Sequence, residues 1–184
     1  MPGLPFDDTP PRSLRPTLRF MLSRASHCIA LGFGAGLARW APGTAGTLWA
    51  WAAFVILQRW LSPAAFGWLI LASLVVGWWA CTATARRMNI ADPGSIVWDE
   101  VVAFWIVLWL VMPTGLLGQL VAFALFRYFD AAKPGPVGWA DALFKPADRT
   151  QQVNWWRAGF GIIFDDLVAA FCTLVVIAAV RAAW

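Results

Sequence analysis

Five acidic side chains hold the chemical potential of this sequence. Asp99–Glu100, Asp130 and Asp165–Asp166 are half of its ten carboxylates, and each group abuts or enters an apolar stretch. A carboxylate at membrane depth is costly unless it is paired, solvated or metal-bound. Three separate placements of this kind point to one convergent site, suited to a hard divalent cation and a phosphate-bearing group. Asp165 and Asp166, in GIIFDDLVA, give the sharpest signal. Neighbouring like charges within an apolar run repel each other unless a cation sits between them.

Asp99 and Glu100 lie in SIVWDEVVAFW, at the start of an apolar run. Adjacent helical positions point about 100° apart, so one can face a site while the other orients a neighbour. The positive end of a helix favours both. Asp130 and Lys133 lie in FRYFDAAKPGP, three residues apart, with Arg127 three residues before Asp130. A continuing helix would place them on one face. The negative pole of the ending helix disfavours a carboxylate, so Asp130 invites a partner. Lys133 could neutralise it or meet a phosphate as a point charge.

Other chemistries fit less well. His27 is the single histidine, which excludes a histidine-rich zinc site. Cys28, Cys81 and Cys172 are scattered, with no CxxC, and read as free, buried small hydrophobes. Cys81 and Arg87 have the C-x5-R spacing of cysteine phosphatases, but the residues between them lack the glycine of a phosphate-wrapping loop. Pro42-Gly43-Thr44-Ala45-Gly46 reads as a chain break before a helix, with Thr47 as its cap. Its small residues would let backbone N–H groups approach an anion, with Thr44 as a hydroxyl donor and Arg39 as a phosphate partner.

The elements that must position these groups belong to a membrane protein. The 184 residues are 60% hydrophobic and 13% charged, with 14 tryptophans and 13 phenylalanines. A soluble domain carries about 25% charge. The aromatic excess fits lipid-facing belts. The start does not read as a cleaved leader, and residues 1–24 read as a cytoplasmic arm before a single domain over 25–184. The segment Leu18–Leu37, rich in glycine at its end, is a re-entrant or interfacial element. Spans are expected at about Leu48–Leu61, Ala64–Ala85, Ile96–Met112 (capped by Ser95), Leu116–Phe129 and Gly161–Val180, with a polar loop over Lys133–Trp156. The fold class is therefore an all-α integral membrane protein, a compact bundle of about five membrane-embedded helices plus the N-terminal element.

On this topology Arg12, Arg15, Arg19, Arg24, Arg39, Arg86, Arg87, Arg127, Lys133, Lys145, Arg149 and Arg157 share one side, against Arg59 and Arg181 on the other. That bias puts the N-terminus inside and the C-terminus outside. All three acidic groups then fall on the inner side. The N-terminal arginines suit an anionic lipid surface better than nucleic acid, since no recognised nucleic-acid module follows. Gly77 and the Gly32–Gly36 run could pack helices within one chain or in a homo-oligomer. A cation-coupled transporter is the main rival reading, because intramembrane carboxylates also line ion routes. No charge marks the outer halves of the spans, which favours one-sided chemistry. A non-catalytic scaffold would leave the acidic groups unexplained, and the phosphoalcohol transferase motif is absent.

Together, LGFGAGLARWAPGTAGT (31–47), SIVWDE (95–100), FRYFDAAKPGPV (126–137) and GIIFDDLVA (161–169) resemble bacterial phosphatidylglycerophosphatase A. The resemblance implies a small bacterial inner-membrane protein that removes the terminal phosphate of phosphatidylglycerophosphate with Mg²⁺. It implies metal ligation by Asp99, Glu100, Asp165 and Asp166. Catalytic work would fall to Asp130, Asp99 and Asp166, and substrate contacts to Lys133, Arg39, Thr44 and Arg127. Which carboxylate is the base stays open. Ala103 stands where many relatives have glycine, and Val137 replaces a common isoleucine.

Overall fold

The computed structural model describes residues 15–145 and 153–183. The first part of the expected arm, with Arg12, and the loop position Arg149 lie outside the described residues. The described chain is all helical. Short helices α1 (Leu18–Leu22) and α2 (Ala25–Ala30) lead through a 3-10 segment, Gly32–Leu37, to α3 (Pro42–Leu57), α4 (Pro63–Met88), α5 (Trp98–Val111), α6 (Leu116–Ala132), α7 (Pro136–Phe144) and α8 (Trp155–Ala183).

Helix α5 is the axis. Its sequence is apolar on nearly every face, the signature of a buried helix. Val101, Phe104, Val107 and Leu108 are fully enclosed. It packs against α3, α4 and α8, while α8 in turn touches α4, α6 and α7. Helices α4, with 26 residues, and α8, with 29, are long and apolar enough to cross a membrane, and α3 is a shorter apolar helix. Trp68 and Val75 on α4, Leu116 and Leu117 on α6, and Phe171 and Val175 on α8 are exposed. An apolar exterior of this extent belongs in lipid.

The element read over Leu18–Leu37 is broken: positive φ at Gly32, Phe33 and Gly34 bends the chain. Helix α3 begins at Pro42, inside the loop that precedes the short span expected from Leu48, because proline suits a first helical position. Thr47 is therefore not a cap: it is buried inside α3 and its hydroxyl donates to the Gly43 carbonyl at 2.9 Å. Ser95 does not cap α5, whose flanking residue is Val97. The supposed loop after Lys133 contains α7, and α8 starts at Trp155 rather than Gly161.

The aromatic residues are also not all lipid-facing. Trp98 and Trp105 are buried, and their indole N–H groups donate to the carbonyls of Ser73 and Ala50, at 3.1 and 2.8 Å. Trp51 donates to Gln119 Oε1 at 2.6 Å. These bonds tie α4, α3 and α6 to their neighbours, whereas Trp40, Trp60 and Trp68 stay exposed. Of the three free cysteines only Cys81 is buried; Cys28 and Cys172 are half-buried. Gly77 makes an internal contact, closing α4 onto the Trp98 ring.

Candidate active site

Asp99 and Glu100 occupy the first turn of α5, where the helix dipole favours negative charge. Asp166 comes from α8 and is 3% exposed. One carboxylate oxygen from each of Asp99, Glu100 and Asp166 lies within 4.8 Å of the others. Asp130, in the last turn of α6, is buried beside Asp166. Arg127, one turn earlier, pairs with Asp130 and lies 3.7 Å from Glu100 Oε1. The three acidic groups thus meet in one nest built by α5, α6 and α8.

Helix α3 closes the nest from a fourth side. A Cβ on Gly43 would collide with the Glu100 carboxylate and approach Arg127, and one on Gly46 would strike Val97. Glycine in a helix costs about 1 kcal/mol relative to alanine. Here that cost is offset by bringing the α3 backbone against Glu100. Thr44 follows Gly43 in the same first turn.

Adjacent positions on α8 divide their work, as a 100° step between them dictates. Asp166 joins the nest, while Asp165 Oδ2 accepts from Lys133 Nζ at 2.5 Å. Lys133 does not pair with Asp130 as expected from their spacing. It ends α6 in a left-handed conformation, φ +46°, which turns it off the helical face. Its ammonium instead joins Asp165 and Asp141, and Lys145 Nζ bonds Asp141 at 2.7 Å and lies 3.4 Å from Asp92. Burial pushes the Asp141 carboxyl up, but hydrogen bonds from Lys133 and Lys145 outweigh it and hold its pKa below the usual value. Burial likewise draws Lys133 down, and Asp141 with Asp165 reverses this and holds it above the ordinary lysine range.

Asp99 Oδ1, Glu100 Oε2, Asp165 Oδ1 and Asp166 Oδ2 are buried with no hydrogen-bond partner among the described residues. Buried carboxylate oxygens without donors are expensive. Five carboxylates face two cationic side chains, Arg127 and Lys133. This all-oxygen donor set, free of histidine and thiol ligands, fits a hard divalent cation. Cys81 is fully buried in α4, and Arg87 lies exposed on the same helix, so their spacing makes no phosphate loop.

The sequence model of phosphatidylglycerophosphatase A matches residues 28–181. The chain belongs to this family. A phosphatidylglycerophosphatase A of Haemophilus influenzae is 37% identical over 90% of this chain and 94% of its own length. The Escherichia coli phosphatidylglycerophosphatase A is 35% identical over 82% of the chain and 80% of its own. A Bacteroides thetaiotaomicron protein, provisionally named a phosphatidylinositol-3-phosphatase, is 32% identical over 83% and 91%. No solved structure matches. The phosphatidylglycerophosphatase A match spans every residue of the nest.

Two features of this family member escaped the reading of its sequence. Asp141 and Lys145 lie four residues apart, the spacing of a helical ion pair, and Gly135-Pro136 is a helix start. Those signals mark α7 and its link to Lys133. Arg39 is exposed and lines a groove with Arg15 instead of touching the carboxylates.

Proposed function

We propose that the carboxylate nest is the hydrolytic centre that removes the terminal phosphate of phosphatidylglycerophosphate, leaving phosphatidylglycerol and inorganic phosphate. The protein is a lipid phosphatase of the phosphatidylglycerophosphatase A family. The observation that carries the site assignment is the meeting of Asp99, Glu100 and Asp166, each with a buried oxygen lacking a donor.

In this reading Asp99, Glu100 and Asp166 hold a divalent cation, and Mg²⁺ suits their carboxylate donors. When bound, the ion supplies Lewis acidity and charge neutralisation at the phosphoryl oxygens. The side chains of the chain do the rest. Asp130, beside Asp166, orients a water and accepts its proton. Arg127, between Asp130 and Glu100, presents a guanidinium to the phosphate. Lys133 adds a point charge, and Asp165 both aims Lys133 and keeps Oδ1 as a ligand. Thr44 and the first N–H groups of α3 favour an anion at the same place. Every group comes from one chain, so the chemistry needs no second copy.

Helices α3, α4, α5, α6 and α8 form the membrane-embedded set, α1 and α2 lie at the interface, and the nest faces the cytoplasm of a bacterial inner membrane. Support comes from charge and geometry together. Asp99 and Glu100 sit at the N-terminal end of α5, while Arg181 donates to the Val111 carbonyl at its other end, at 2.9 Å. The basic residues crowd the acidic end.

The test is phosphate release by the purified protein in mixed micelles with Mg²⁺, comparing phosphatidylglycerophosphate with phosphatidylinositol 3-phosphate. A kcat/KM at least about tenfold higher for the first is expected, a difference of ~1.4 kcal/mol. Absence of release from phosphatidylglycerophosphate would refute the assignment, and preference for the inositol lipid would move it to another headgroup.

A further inference from the structure

One residue before Gly43, Pro42 helps to line a groove of about 220 Å³ with Arg15, Arg39, Met88, Ile90 and Ser95. A second hollow, of about 190 Å³, shares Arg15, Met88 and Ile90 with it and adds Arg87. Arg15 and Arg39 thus line the first hollow and Arg15 and Arg87 the second, so three arginines from three segments line two adjoining hollows that share the apolar wall of Met88 and Ile90. Arg15 comes from the N-terminal stretch, Arg39 from the turn before α3 and Arg87 from the end of α4. Arg15 Nη1 reaches the Arg39 carbonyl at 3.5 Å, which holds the two segments together. Among the described residues, every ion pair uses Arg127, Lys133 or Lys145, and none uses these three arginines. Clustered like charges repel unless an anion joins them. Trp40, adjacent to Arg39, is 82% exposed, as suits an indole at the lipid headgroup level.

We propose that this groove binds the phosphodiester of an anionic phospholipid, beside the nest and separate from the phosphomonoester handled there. The guanidiniums supply the paired donors that phosphate oxygens take, and Met88 with Ile90 receives the glycerol backbone. The groove's place next to a hydrolytic centre rests on the function proposed above; its anion chemistry does not. Two sources supply the same group: the diester of the substrate itself, or a neighbouring anionic lipid.

The experiment uses the full chain in dodecyl maltoside micelles and a fluorescent phosphatidylglycerol, which has the diester but no terminal phosphate. Wild type should retain it in preference to phosphatidylcholine. The double variant R15Q/R87Q should lose affinity by about fivefold for each arginine, with unchanged elution volume and melting temperature, and R15K/R87K should recover most of it. Equal affinity in wild type and R15Q/R87Q, or no preference over phosphatidylcholine, overturns the site. Steady-state kinetics then assigns the source. If phosphatidylglycerol raises KM, the groove holds the diester of the substrate; if it raises kcat alone, the groove holds a second lipid. A chain that retains phosphatidylglycerol but hydrolyses nothing overturns the phosphatase reading and leaves the groove standing.

Discussion

Lys133 Nζ lies 2.5 Å from Asp165 Oδ2, though 32 residues separate them. The same ammonium holds Asp141. One side chain thus joins the end of α6 to α7 and α8. It does so because the left-handed turn at Lys133 releases it from the α6 face that carries Asp130. The consequence is a division of labour between two cations: Arg127 serves Asp130 and Glu100, and Lys133 serves Asp165 and Asp141.

Asp141→Asn should loosen Lys133 without touching the nest. Supporting partners of a site residue typically matter by about 10–100-fold, so kcat should fall by about tenfold with KM little changed. The same variant should alter the acid response. The depressed folded pKa of Asp141 means its contribution to stability is full above the ordinary aspartate value of about 3.9 and is lost as pH falls through the lower folded value. Wild type should lose α7 docking in that acid window, read as faster hydrogen exchange over Pro136–Phe144, and Asp141→Asn should show the fast exchange already at neutral pH.

Removal of a nest carboxylate should separate binding of the ion from folding. Asp166→Asn and Asp99→Asn should each lower phosphate release by on the order of a thousandfold, with melting temperature in detergent retained or raised, since a buried like-charged group is lost. Calorimetric titration with Mn²⁺ should show weakened binding in both. Wild-type activity in excess chelator, or undiminished turnover in both variants, would remove the metal from the mechanism.

Gly43→Ala tests the contact between α3 and Glu100. Helix propensity alone would favour alanine by about 1 kcal/mol. The new methyl meets the Glu100 carboxylate, however, and overpacking typically costs about 1–3 kcal/mol. Activity should drop by more than about tenfold while the protein still folds. Gly115→Ala, where nothing lies within 4 Å, is the control and should keep its activity.

The convergence of Asp99, Glu100, Asp130 and Asp166 was legible because charge inside apolar sequence has few affordable locations. Most of α4 and the apolar part of α8 were legible from their hydrophobicity, although the first turns of α8, with Arg157, read as loop. What escaped was set by single-residue geometry. Lys133 looks like the helical neighbour of Asp130 until its positive φ is known. Helix α7 is short, begins with glycine and proline, and is bounded by polar sequence, so its pattern resembles a loop. The glycines before Thr47 read as a break because their cost in a helix is visible in the sequence, while the close contact with Glu100 that offsets it is not. The hydrogen bonds of Trp98 and Trp105 were hidden for the same reason: composition counts indoles without saying which ones find a carbonyl.

Asp165 and Asp166 stand ten and eleven residues inside α8, after a stretch whose Phe160 and Phe164 pack on Phe144 of α7. That spacing works as a fixed gauge. Deleting or inserting one residue between Phe160 and Phe164 would rotate Phe160 against Phe164 and the acidic pair by about 100°, so α7 and the nest could not both be satisfied. Length variation between homologous chains should therefore collect in the connection before Trp155, with the count from Phe160 to the aspartates held constant.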